Sequence, residues 1–205
     1  MKRGLSAALA LALFLAISPP AQAAAFPDIQ DTDWYAPAAA YVQVKGWMNG
    51  MGDGSFQPQG TMTRGMLATV LHRAAGSPPS TAGLYFEDIY AGTWYADAVV
   101  WCGDAGIVTG TDSLHFSPEH PVTREQVALM LWRLAGWPPP SRTAIFVDGA
   151  QINTWSRAGV DWACQAGIVT GKSDGTFDPQ GWATRAEVAQ MLMKYGQWKT
   201  AQQTG

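Results

Sequence analysis

Three stretches of this chain match one another along most of their length, and that repetition constrains the fold more than any other feature. "FPDI" at Phe26, "FEDI" at Phe86 and "FVDG" at Phe146 each open a copy, and the later columns stay in register, with one extra residue before Trp155. Self-similarity over so many columns means repeated copies of one supersecondary unit. The copies run over residues 26–76, 86–136 and 146–197. "SPPSTAGLY" and "GWPPPSRTAI" join them, and their Pro and Ser content reads as surface connection.

Each copy carries two helical patterns. The first is expected to run from Trp34, Trp94 or Trp155 to Gly46, Gly106 or Gly167, with the glycine ending it. The second places Leu67, Val70, Leu71 and Ala74 on one face. Val127, Met130, Leu131 and Leu134 follow in copy two, then Val188, Met191, Leu192 and Tyr195 in copy three. The fold class is therefore mainly all-α, three helix-turn-helix modules. Two short helices cannot bury much apolar surface alone, so each module is expected to complete its core against the others.

The N-terminus reads as a targeting segment. "MKR" precedes an apolar stretch from Gly4 to Ile17 and small residues before Ala23, the pattern of a signal peptide over residues 1–23. The apolar stretch is shorter than the roughly 20 residues that span a bilayer, so no membrane span is expected in the mature form. Removing Lys2 and Arg3 leaves 11 basic against 16 acidic residues, a net charge of −5. That balance argues against nucleic acid as a partner. Cys102 and Cys164 sit at neighbouring, not identical, repeat positions and are read as two buried free thiols.

The residues after each inter-helix turn carry the main puzzle. Thr184-x-x-Glu187 is a capping box, Thr123-x-x-Gln126 its permitted variant, and Thr63 has only Met66 at the reciprocal position. Arg64, Arg124 and Arg185 follow those threonines, where a cation opposes the helix dipole by a few tenths to about 1 kcal/mol. A local rule broken three times asks for a compensating partner. Asp28, Asp88 and Asp148 are one choice, and an anionic ligand held by the guanidinium fork is the other. On the second choice, Arg185→Ala is expected to lose ligand and leave the fold intact.

The combined pattern resembles the S-layer homology domain of bacterial cell-surface proteins: aromatic-x-Asp, a Trp-led helix, Gly-x-x-x-Gly, aromatic-x-Pro and Thr-Arg-Ala-Glu. Residues 26 to 197 are covered. The resemblance implies a pseudo-threefold helical unit whose inter-module grooves bind secondary cell wall polysaccharide, often pyruvylated, for a secreted protein held at the cell wall or S-layer. The motif is complete at Thr184, Arg185, Ala186 and Glu187. Copy two reads Thr123, Arg124, Glu125 and Gln126, with the acid one residue early, and copy one reads Thr63, Arg64, Gly65 and Met66, without it.

The ligand-binding residues this implies are Arg64, Arg124, Arg185, Asp28, Asp88, Asp148 and Glu187, with Gly50, Gly110 and Gly171 allowing close approach. Trp34, Trp94 and Trp155 are either module packing or platforms for sugar rings. Neither cofactor nor metal is implied, because the Asp-Gly turns offer too few oxygen ligands for calcium. Catalysis is not expected: His72, His115 and His120 share no repeat position or metal-ligand spacing, and no nucleophile-elbow motif occurs. An adaptor that binds an envelope protein and no glycan is the alternative.

Overall fold

A computed structural model describes residues 26–80, 83 and 86–204. The expected signal peptide lies outside them. Among the described residues there are six α-helices, two from each copy: α1 (Ala36–Val44) and α2 (Arg64–Ala74), α3 (Ala96–Asp104) and α4 (Arg124–Leu134), α5 (Arg157–Gln165) and α6 (Arg185–Thr204). A 3-10 turn, Gly149–Gln151, precedes α5.

The first helix of each copy begins two residues later than its Trp. Tyr35, Tyr95 and Ser156 stand at the N-caps, without side-chain caps. The tryptophans therefore belong to the turn before the helix. The expected stop is found: Gly46, Gly106 and Gly167 have φ of 67, 69 and 71°. In copy one the Trp47 N–H donates to the Val42 carbonyl and the Gly46 N–H to that of Gln43, the double bond of a Schellman cap.

Within a copy the two helices do not form a hairpin. Instead α3 packs on α2, α5 on α4, and α1 on α6, so each first helix lies against the second helix of the copy before it, and the third copy closes on the first. The expected second-helix stripes are buried, apart from half-buried Leu134, and the core is continuous through all three copies. Helix α6 outruns its counterparts. It continues through Gly196, where Tyr41 and Trp47 pack, and sets Trp198 edge-on to Trp162 at 5.1 Å.

The copies meet around a pseudo-threefold axis. There the Met62 N–H donates to the Ala183 carbonyl, Ala183 to Val122, and Val122 to Met62, each at 2.9 Å, so three equivalent residues close a triangle of backbone bonds. Among the described residues no helix is long and apolar enough to cross a membrane.

Candidate functional site: clasps and grooves between modules

The Phe-x-Pro turns are where one copy grips the next. Asp28 accepts the Phe56 and Gln57 N–H groups, both at 2.7 Å. Asp88 does the same for Phe116 and Ser117, and Asp148 for Phe177 and Asp178. The middle residues Gln57, Ser117 and Asp178 have φ of 54, 59 and 57°, sparsely populated for residues with a side chain, and the carboxylates over-determine that geometry. At Asp148 burial favours the neutral acid, but the two N–H donors prevail and hold the carboxyl below its ordinary value.

The arginines bind the far side of these turns. Nε of Arg64 donates to the Phe116 carbonyl at 2.8 Å, Nε of Arg124 to Phe177 at 2.7 Å, and Nε of Arg185 to Phe56 at 2.6 Å. Nη2 of Arg64 and Arg185 reach the Thr109 and Asn49 carbonyls. Each guanidinium also lies over the Phe ring of that turn, 4.5 to 5.3 Å from its centre. The N1 and N2 backbone N–H groups are occupied too, as where Arg64 and Gly65 donate to the His120 and Pro118 carbonyls.

The compensating partner is thus mainly the neighbouring copy's backbone. Asp and Arg hold opposite ends of one peptide segment rather than each other. All three arginines are buried, 3 to 5% exposed. Burial lowers the Arg64 pKa to about 10, with Asp88 opposing that shift, and it lowers that of Arg185 against the pull of Asp28. The Arg185 side chain fastens copy three to copy one, which argues against the expectation that Arg185→Ala would leave the fold intact.

The third residue of the motif varies with what it meets. At Gly65 a Cβ would lie 3.2 Å from the Tyr95 ring. Where Ser156 replaces that tyrosine, Glu125 fills the space. It is 1% exposed and accepts from the Asn153 N–H, Asn153 Nδ2 and Ser156 Oγ. The early acid of copy two is therefore a latch onto copy three. Glu187 has two duties: it completes the capping box with Thr184 and pairs with Nη1 of Arg124.

Two equivalent grooves open above these clasps. The first groove, ≈ 420 Å³, takes the 48–52 loop and α2 from copy one, Arg185 from copy three and Trp94 from copy two. The third groove, ≈ 670 Å³, takes the 168–173 loop and α6 from copy three, Arg124 from copy two and Trp34 from copy one. Every copy contributes to each. Trp34, Trp94 and Trp155 are 59, 59 and 50% exposed, which disfavours the module-packing reading. Arg64 reaches Thr109 beside Gly110, the matching position in copy two.

The Gly-x-x-x-Gly glycines have an internal reason as well. A Cβ on Gly50, Gly110 or Gly171 would come within 2.8 to 3.0 Å of the Phe26, Phe86 or Phe146 ring. Gly50 and Gly171 also line the grooves, whereas Asp28, Asp88 and Asp148 line neither. Sequence reasoning missed Arg73 and Lys194, which line the first and third grooves. The signal was available, since Arg133 stands at the same repeat position and all three copies carry a cation there.

The remaining candidates are accounted for locally. His72 bonds the Pro78 carbonyl, His120 that of Pro121, and His115 pairs with Asp112. No group of three or more His, Cys, Asp or Glu suited to a metal occurs among the described residues. Both thiols are free; Cys102 is buried, but Cys164 is only half-buried, contrary to expectation.

The three helical modules thus close into one ring, with a cation and an exposed indole at the first and third grooves between them. The S-layer homology domain matches at residues 25–65, 85–128 and 145–189, more than half of the chain, and the protein belongs to that family. Domains of this family are non-catalytic and generally mediate attachment to the cell envelope through secondary cell wall polysaccharide, and the chain is a secreted, cell-wall- or S-layer-associated protein. It is similar to an amylopullulanase of Thermoanaerobacterium thermosulfurigenes, 31% identical across 82% of this chain and 9% of that protein. Exoglucanase XynX of Acetivibrio thermocellus is 28% identical across 82% of this chain and 16% of its own length. The S-layer protein sap of Bacillus anthracis is 26% identical across 94% of this chain and 24% of its own. The chain thus spans under a quarter of these relatives.

Proposed function

We propose that the protein fastens itself non-covalently to the cell wall by binding anionic, pyruvylated secondary cell wall polysaccharide in its inter-module grooves. The observation that carries this is the pairing of a buried guanidinium with an exposed indole in the first and third grooves. A pyruvate ketal adds a carboxylate to a polyhydroxyl chain. The guanidinium suits the carboxylate, and the indole offers the apolar face of a sugar a surface to lie on. The relatives support the reading: proteins named as glucanases and as S-layer proteins share this one region, as expected if it supplies attachment to different cargoes.

Cosedimentation with purified walls, before and after chemical removal of the secondary polymer, tests it. Binding that disappears with the polymer is expected. Equal binding to both preparations refutes the proposal. Binding only to an envelope protein would favour an adaptor instead.

A further inference from the structure

The two grooves are built alike but differ in what their arginine has left to offer. In the third groove Nη1 of Arg124 is held by the Glu187 carboxylate, which lines the same groove. In the first groove the position of Glu187 is taken by Met66, and no carboxylate lines the cavity. Arg185 spends Nε and Nη2 on the Phe56 and Asn49 carbonyls, and its Nη1 has no acceptor among the described residues. Arg185 is 5% exposed, so that amine belongs to a side chain fixed at the groove rather than free in solvent. Both grooves hold a further cation at the matching position, Arg73 in the first and Lys194 in the third, and Lys172 of the third is paired with Asp178. The difference therefore lies in whether the buried arginine is already neutralised.

We propose that the first groove is the carboxylate-binding groove, and that residue 187 and its counterpart 66 set this difference. Glu187 places a fixed negative charge where a ligand carboxylate would have to meet Arg124, and like charges at contact repel strongly when partly shielded from water. The third groove is therefore the weaker of the two for an acidic substituent, which the first groove takes preferentially. Two grooves of unlike preference fix the direction and register in which an alternating acidic and neutral polymer can lie. This assignment rests on the proposed wall binding and divides that function between sites.

Each groove has its own reporter, Trp94 in the first and Trp34 in the third. The probe is a monosaccharide bearing a pyruvate ketal, with its methyl ester as the neutral control. The readout is the indole N–H resonances, assigned by Trp94→Phe and Trp34→Phe. The Trp94 signal should move with the acid, and the Trp34 signal should respond on the order of tenfold more weakly, about the effect of one opposed charge.

Two exchanges test the selector. Glu187→Gln keeps a capping box of the kind Gln126 already makes and should raise the response of Trp34 to the acid. Met66→Glu should complete the box at Thr63, raise thermal stability and abolish the response of Trp94. Equal responses of Trp34 and Trp94 in the unaltered protein, or no change on either exchange, would overturn the assignment even if wall binding holds. Failure of wall binding itself would remove its premise.

Discussion

Glu125 offers the sharpest test of how the seams between modules are made. Its carboxylate accepts bonds of 3.0, 2.6 and 2.7 Å from Asn153 and Ser156. A hydrogen bond to a charged group contributes about 1.5 to 3 kcal/mol. Three such bonds exceed the net loss on Glu125→Ala, for two reasons. Asn153 is exposed and can recover water, and removing a buried carboxylate relieves its desolvation cost. Ser156 Oγ also keeps the Asn153 carbonyl at 3.0 Å. The expected destabilisation is therefore about 2 to 3 kcal/mol. Glu125→Gln should cost about 1 kcal/mol, since the amide oxygen can retain one pair of bonds while the Asn153 amide turns to present its oxygen.

The first seam shows how to compensate. There Gly65 faces Tyr95, so Glu125→Gly with Ser156→Tyr recreates that pairing in the second seam. The double variant should be more stable than the sum of its parts by at least about 1 kcal/mol. Urea unfolding followed by tryptophan fluorescence supplies all four corners of the cycle. If Glu125→Ala stays within about 0.5 kcal/mol of the parent, or the two sites prove additive, the latch does not hold the seam and the reasoning fails.

Three further outcomes follow from the clasps and thiols. Arg185→Met should destabilise by about 2 to 5 kcal/mol, since it strips the Phe56 and Asn49 carbonyls of their charged donor; an unchanged midpoint in denaturant would contradict the clasp. The Asp148 carboxyl is depressed in the folded state, so its contribution is complete above the unfolded value near 3.9 and is lost as pH falls through the lower folded one. Asp148→Asn should flatten the melting temperature over that acid range, and an unaltered profile would show the carboxyl to be idle. Burial pushes the Cys102 thiol up to about 12 and raises that of Cys164 less. Intact mass after alkylation should show at most one slow adduct on the native protein, at Cys164, and two after denaturation; rapid double labelling of the native fold would rule that out.

What the sequence disclosed was what depends on neighbours in the chain. The repeats, the apolar stripes, the glycine stops and the capping boxes are all local patterns, and each is found where its spacing puts it. The partners of Arg64, Arg124 and Arg185 were hidden because they are backbone carbonyls, and every residue has one. Nothing in a side-chain alphabet marks the Phe56 carbonyl as the group Arg185 will meet 129 positions away. The exchange of first helices between copies was hidden for a similar reason, since α1 and α3 present equivalent faces and only assembly decides which second helix receives them. Glu125 looked like a displaced motif residue, yet its explanation lay in the serine of copy three that stands where the other copies have tyrosine.

The triangle of backbone bonds at Met62, Val122 and Ala183 fixes a number. In an open solenoid each added repeat stacks on the last, so length can vary and the ends need caps. Here each vertex donates to one neighbour and accepts from the other, so two copies leave a donor and an acceptor stranded, and a fourth has no vertex to occupy. The arrangement counts to three and stops. A fragment of two copies would keep an unsatisfied seam, and the surface that completes it is a third copy, whether it arrives in the same chain or from another.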